Sequence, residues 1–350
     1  FRLAGSITLP SIRVGRPAIG DLTGDGRNDI AFPLSLANEV ALYANRGNHA
    51  ANAALGQSTA TPLFGAAPGA TDSLPPNPTP VIFASEFQPF DACIADFDAD
   101  QRNDLIVAAG LSFDLSAYYQ TTAGTLDNLI PIPAGGAPFL LAAGDLTGDG
   151  ISEIAVTLQN ANEVRVFERN ATSLLSNLKT YDVDGATGVR NVSPYLVAPS
   201  FPFGLRIREL NQDGFNDVVA AAELIVQGQA VTTSNVAQPL NTTAGWFWSA
   251  GGTALGADIA AVRTSTLSPI AFSVDVGDVL GADGIPDVVL SHNQGDGVVF
   301  YRGLGGGNFA GNPSGSGPTG IIPLAIGSGA ELLIVDLNGD GVYLDVIQAS

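Results

Sequence analysis

Apolar residues along this chain fall in short runs broken by glycine, proline, asparagine and aspartate, and no segment sustains a helical spacing. The runs Ile30-Ala31-Phe32, Leu105-Ile106-Val107, Ile154-Ala155-Val156, Val218-Val219-Ala220, Val288-Val289-Leu290 and Val346-Ile347 are short, mostly β-branched and bounded by turn residues. That pattern predicts strands. An apolar run precedes each one, as in Phe139–Ala143 and Leu332–Val335, and predicts a first strand. A third strand is expected at 38–43, 162–167 and 297–301, where Asn-Glu-Val recurs in the first two. A weaker fourth is expected at 79–83.

Between the first and second run of each set lies one recurring acidic loop. It spans 21–29, 96–104, 145–153 and 209–217, with irregular copies at 278–287 and 336–345 that each carry one inserted residue. Numbered within the nine-residue form, positions 1, 5 and 9 are acidic, position 3 carries a side-chain oxygen and position 6 is glycine, with Gln101 the exception. Successive loops start 49 to 75 residues apart. About four strands per period of that size is the signature of a propeller blade. The expectation is therefore one all-β domain over 1–350, a β-propeller of six or seven four-stranded blades. The Gly/Pro/Ser/Thr-rich stretches 46–80 and 226–244 read as surface loops within it.

The loop chemistry is that of a hard-cation site. Calcium takes six to eight oxygen ligands, and alternate residues of a tight loop can turn their oxygens inward. The candidate ligands are Asp21, Thr23, Asp25 and Asp29; Asp96, Asp98, Asp100 and Asp104; Asp145, Thr147, Asp149 and Glu153; Glu209, Asn211, Asp213 and Asp217; Asp278, Asp283 and Asp287; and Asp336, Asn338, Asp340 and Asp345. Position 7 would offer its backbone carbonyl, which leaves its side chain free to vary: Arg27, Arg102, Ile151, Phe215 and Val342. Nineteen of the 34 acids sit in these loops. Clustered carboxylates repel unless a cation neutralises them. Up to six structural calcium ions would bring the formal charge from −20 to −8. The other reading of each loop is an Asp-rich turn closed by side-chain to backbone hydrogen bonds. An EF-hand is excluded, because position 12 falls in a strand (Phe32, Val107, Val156) where that motif needs a glutamate.

The segments Ala18–Phe32 and Leu141–Val156 resemble the FG-GAP/VCBS repeat of integrin-α-like propellers. The resemblance implies a propeller, usually of seven blades, with calcium in the loop joining the first two strands of a blade. It also implies binding of proteins or sugars, often in adhesion, with a few members attached to enzymes.

Composition narrows the partners. Fourteen basic residues against 34 acidic ones would repel nucleic acid and anionic membrane surfaces. No stretch of 18 apolar residues is present, so no membrane-spanning helix is expected. A first residue that is not methionine is expected to mark a processed, secreted chain. Asn170, Asn191 and Asn241 begin glycosylation triplets. The lone Cys93 forms no internal disulfide and reads as a small buried hydrophobe. Residues 1–16 include an alternating run, Phe1–Leu9, that would supply a ring-closing strand. The last blade then lacks a third strand, which further residues or another subunit would add.

Catalytic constellations are missing from the sequence. His49 and His292 lie in separate polar turns, and no nucleophile elbow or phosphate loop occurs. Trp246 and Trp248 would share one face of a strand, either stacking on a ligand's sugar rings or packing between blades. The function expected is a secreted, calcium-stabilised, non-catalytic module for binding, adhesion or extracellular assembly, with a protein or glycan partner. The alternatives are a lectin, a filament subunit completed by strand addition, and a polysaccharide-processing enzyme.

Overall fold

The computed structural model describes residues 9, 13–45, 80–161, 163–169, 175–182, 196–197, 201–210, 212, 214–223, 226–227, 271–292, 298–306, 308–309, 320–322, 331–336 and 344–348. All regular structure among them is β-strand. The chain divides into two compact units, Phe1–Leu141 with Arg169–Ser176, and Ala142–Glu168 with Asn177–Ser350.

The first unit holds two antiparallel four-stranded sheets. One runs β1 (Ala18–Gly20), β2 (Asp29–Leu34), β3 (Glu39–Tyr43), β4 (Val81–Ala84). The other runs β5 (Pro89–Ala95), β6 (Asp104–Ala109), β7 (Asp114–Tyr118), β8 (Ile130–Pro133). Both are antiparallel meanders whose strands neighbour one another in chain order. Every residue of β6 is buried, whereas β4 is mostly exposed. A second strand covered on both faces explains its unbroken apolar run. Ala18, Leu22, Ala31, Val40 and Leu42 of the first sheet and its loop meet Ala92, Leu105, Val107 and Tyr118 of the second in one cluster.

The scheme recurs further along the chain. One sheet runs in the order β9 (Pro138–Gly144), β10 (Glu153–Leu158), β11 (Glu163–Arg169), β12 (Leu175–Asp182). The pair β13 (Leu196–Val197) with β16 (Val226–Gln227) flanks the hairpin β14 (Phe201–Arg208) with β15 (Asp217–Glu223) in the sequence. A further four-stranded sheet orders β17 (Ala271–Gly277), β18 (Asp287–His292), β19 (Val298–Tyr301) and then β22 (Gly320–Ile322), with the small hairpin β20 (Gly303–Gly305) and β21 (Asn308–Phe309) between the last two in sequence. The hairpin β23 (Leu332–Val335) with β24 (Asp345–Gln348) comes last.

The register places the acidic loops identically. The residue before the loop pairs with its last acid in Gly20↔Asp29, Ala95↔Asp104, Arg208↔Asp217, Gly277↔Asp287 and Val335↔Asp345. Each loop therefore closes the hairpin of the first two strands. Cys93 is buried on β5, and burial beside Asp91 pushes its thiol pKa well up, as expected of an inert core residue. The alternating run Phe1–Leu9 apart from Leu9 itself, the loop 46–79, the three glycosylation triplets, His49, Trp246 and Trp248 lie outside the described residues.

Candidate functional site

Position 2 of each loop is an apolar anchor. Leu22, Phe97 and Leu146 are completely buried, and Leu210 nearly so. With that side chain pinned in the core, the following residues must turn tightly above it. Position 4 takes a positive φ in Gly24, Ala99, Gly148 and Gln212, and position 6 does so in Gly26, Gln101, Gly150, Gly214 and Gly284. A Cβ added at Gly26 or Gly150 would meet nothing within 4 Å. Glycine is there for its conformation and not for space.

The carboxylates then close the turn. In the first loop Asp21 accepts the N–H groups of Thr23, Gly24, Asp25 and Gly26 at 2.7 to 3.2 Å. Asp96 repeats this with Asp98, Ala99, Asp100 and Gln101. Asp145 takes Gly148 and Gly150, Glu209 takes Gln212 and Gly214, and Asp278 takes Gly284. Position 5 accepts the N–H of position 7: Asp25 from Arg27, Asp100 from Arg102, Asp149 from Ile151 and Asp283 from Ile285. Arg27 and Arg102 also pair with Asp25 and Asp100 through their guanidinium groups. Phe215 lies over the next loop back, its ring 2.4 Å from where a Cβ on Gly148 would stand.

The position-9 acids play a second part. Asp29, Asp104, Asp217 and Asp287 are essentially buried, and Glu153 nearly so. One oxygen accepts the position-2 N–H, in Leu22, Phe97, Leu146 and Leu210, at 2.7 to 3.1 Å. The other accepts the N–H sixteen residues further on: Asn45 for Asp29, Gln120 for Asp104 and Gly303 for Asp287. These acids fasten the loop to the end of the third strand. In the fifth loop the inserted residue is absorbed by Gly281 and Ala282, both at positive φ, and Asp287 keeps its bonds to Val279 and Leu280.

The second loop draws its acids closest. Oxygens of Asp96, Asp98 and Asp104 all lie within 4.8 Å of one another, while Asp100 turns to Arg102. Burial raises the pKa of Asp104 to about 7, and the charges of Asp98 and Asp96 add to the rise against two backbone N–H groups that lower it. Glu153 is likewise raised to about 7, chiefly by burial, and Asp98, Asp29 and Asp287 are raised for the same first reason. Three buried or half-buried like charges sharing a few ångströms is an arrangement that a cation relieves. Two atoms of other loops point the same way. Asp278 Oδ1 is buried without a hydrogen-bond partner. Thr23 Oγ1 also lacks a partner in good geometry, although it lies close enough to Asp29 to lower that carboxyl's pKa. The donor set is all oxygen, which suits a hard divalent ion. Asn211, Asp213, Asn338, Asp340 and Val342 lie outside the described residues, and of the sixth loop Asp336 and Asp345 are described.

Three parts of the arrangement carried no assigned role in the sequence. The position-2 anchor was visible as an apolar residue between acids. Asn103 and Asn216, at position 8, each donate to the carbonyl of the preceding loop's first residue, Asp21 and Asp145, at 3.2 and 3.1 Å. Buried acids on the first strands also lie outside the repeat: Asp91 takes the N–H of Leu141 and pairs with Arg16, and Asp275 takes the N–H of Ile334 with Arg206 and Arg208 nearby.

Comparison with known proteins bears on the fold and on the repeat. The chain is similar in structure to an Agrocybe aegerita lectin that recognises non-reducing terminal N-acetylglucosamine, with a TM-score of 0.51 and 17% identity over 94% of this chain and 73% of that one. It is similar also to the BP39L lectin of Burkholderia pseudomallei, with a TM-score of 0.53 and 14% identity over 95% and 77% of the two chains. At such identities the likeness is one of fold alone. No curated protein matches the sequence. Residues 96–156, which carry the second and third acidic loops, match the FG-GAP-like repeat.

Proposed function

We propose that this chain is a secreted, non-catalytic binding module of β-propeller fold, its acidic loops each holding a structural calcium ion. The observation that carries the reading is the convergence of Asp96, Asp98 and Asp104 within 4.8 Å. Positions 1, 3, 5 and 9 of each loop, with the carbonyl of position 7, would hold the ion, and the ion would supply rigidity and charge neutralisation. The hairpin turns are already closed by hydrogen bonds, so the ion would tighten a preformed loop. Most of the acids that could pair for sugar hydrolysis are engaged in these loops, which supports a binding role over an enzymatic one.

A glycan is the partner class to try first, because the two similar solved structures described above are both lectins. The test of the calcium reading is a pair of thermal melts, in excess EDTA and in millimolar calcium. A site at a hundredfold excess over its dissociation constant adds about 2.7 kcal/mol. Several such sites would raise the melting temperature by many degrees. Superimposable melts, with no heat in a calcium titration, would end the reading. A glycan array on the calcium-loaded protein tests the partner class.

A further inference from the structure

We propose that Gln120, carried by the repeat that follows, supplies an oxygen ligand in trans to the ion of the first loop, so that this site is built by two repeats. The inference rests on the reading of the acidic loops as calcium sites and adds a residue outside the loop motif.

Gln120 is 3% exposed, and its side-chain Nε2 is buried with no hydrogen-bond partner. The amide is aimed at the first loop: Oε1 and Nε2 lie 3.7 and 4.0 Å from the point where a Cβ on Gly24 would stand. Beside Gly24 sits Thr23, whose Oγ1 is also buried without a hydrogen-bond partner in good geometry. A buried amide left unpaired loses its hydration with nothing in return. Two such orphans at one loop mark a place where something polar is expected to bind.

The backbone of Gln120 is held by the second loop. Its N–H donates to Asp104 Oδ1 at 2.8 Å and its carbonyl accepts from Arg102 Nε at 3.0 Å. The next turn seats on the first loop, since a Cβ on Gly124 would fall 2.2 Å from the Thr23 carbonyl. Only the amide plane of Gln120 is free to turn, and a half-turn exchanges its oxygen and nitrogen.

Charge explains why an amide stands here. The first loop has three acids where the second has four, because Thr23 occupies the place of Asp98. Glutamine carbonyls are ordinary calcium ligands. The corresponding place one repeat later, sixteen residues after Glu153, is Arg169, and its guanidinium donates to the Asp98 carbonyl at 2.7 Å. The four-acid loop thus receives a cation from its neighbour, and the three-acid loop receives a neutral oxygen donor.

The experiment is calorimetric titration of the full chain, stripped with EDTA, with calcium chloride. Asp21→Asn identifies the step that belongs to the first loop. Gln120→Ala is expected to weaken that step about tenfold, and Gln120→Glu, which keeps an oxygen and adds a charge, to restore or tighten it. Gln120→Asn, a methylene shorter, withdraws the oxygen with the least disturbance, and circular dichroism verifies its fold. The assignment is overturned if alanine and asparagine leave the step unchanged. It is overturned equally if glutamate weakens the step as much as alanine, which is the behaviour of a purely structural amide. If Asp21→Asn removes no step, the calcium reading of the first loop itself fails and takes the assignment with it.

Discussion

Asn103 Nδ2 reaches back 82 residues to the carbonyl of Asp21, at 3.2 Å, and so ties the second acidic loop to the start of the first. Asn216 and Asp145 repeat the bond in the other unit at 3.1 Å. The bond is partly buried, and truncating the donor leaves the Asp21 carbonyl without it. Asn103→Ala should cost about 1 kcal/mol. Asn28 occupies the same place in the first loop but is exposed, and Asn28→Ala should fall within about 0.5 kcal/mol of the parent. Urea unfolding of the two variants side by side measures the difference. Equal stabilities would show that the inter-loop bond contributes nothing.

A second contact joins the repeats at the same level. A Cβ placed on Gly20 would stand 2.5 Å from Ile94 Cγ2, and the equivalents are Gly144 against Ile207 at 2.6 Å and Gly277 against Ile334 at 2.8 Å. The glycine precedes the loop in the first, third and fifth repeats, and the isoleucine lies two residues before the loop in the second, fourth and sixth. Isoleucine is stiff at χ1 and cannot swing aside cheaply. Gly20→Ala should therefore destabilise by about 1–3 kcal/mol, as overpacking does. Adding Ile94→Val, which keeps Cγ2, should not rescue it, whereas Ile94→Ala should recover part of the loss. A double-mutant cycle by chemical denaturation reads this directly, and additive effects would refute the contact.

These two contacts also show where sequence reading stops. The acids, the glycine at position 6 and the β-rich run after it recur at fixed spacing, so the strands and the hairpin loops were legible. The structure adds the burial of β6 on both faces, which goes with Leu105-Ile106-Val107-Ala108-Ala109, an apolar run with no polar alternation. The partners of Asn103 and Gly20 are set by how one repeat lies on the next, and nothing in the local pattern carries that. Gln120 is the extreme case: it lies outside the acidic motif, and its role depends on a third-strand end reaching the loop of another repeat. Asp104 was legible as an acid but not as the fastener of Phe97 and Gln120, because the sixteen-residue interval becomes a contact only once the third strand returns.

The second loop departs from the glycine rule. Ala99 and Gln101 hold φ values of 65° and 67°, where the other regular loops place glycine or, once, Gln212. The left-handed conformation costs a side-chain-bearing residue about 1–2 kcal/mol, and glycine gives back about 0.5–1 kcal/mol in unfolded-state entropy. Gln101→Gly should therefore stabilise the protein by about 0.5–1 kcal/mol in EDTA. The reverse change, Gly26→Gln, should destabilise the first loop, although no atom lies within 4 Å to clash. Melting temperatures moving in the same direction for both variants would contradict the conformational argument.

Tyr118 gives the fold an alkaline limit. Its ring is buried against Phe83, with centroids 5.9 Å apart, and its hydroxyl donates to the Ala84 carbonyl. Burial pushes its pKa from 10 to about 12. The neutral phenol is thus favoured in the folded state. The stability it contributes is fully present below pH 10 and is lost as pH rises towards 12, where the unfolded chain has already ionised. Two pH units correspond to about 2.7 kcal/mol at most. Tyr119, raised also to about 12, and Tyr43, raised by burial, add their own losses. The informative quantity is therefore the parent minus Tyr118→Phe. At pH 8 the phenylalanine variant should be about 1 kcal/mol less stable, for the lost hydrogen bond. Between pH 10 and 12 the gap should close and then reverse, because only the parent has this phenol to ionise. Urea titrations at pH 8, 10 and 11.5 read the crossing. A gap that stays constant across that range would mean that Tyr118 ionises in the fold as easily as in water, and that the enclosure around it opens.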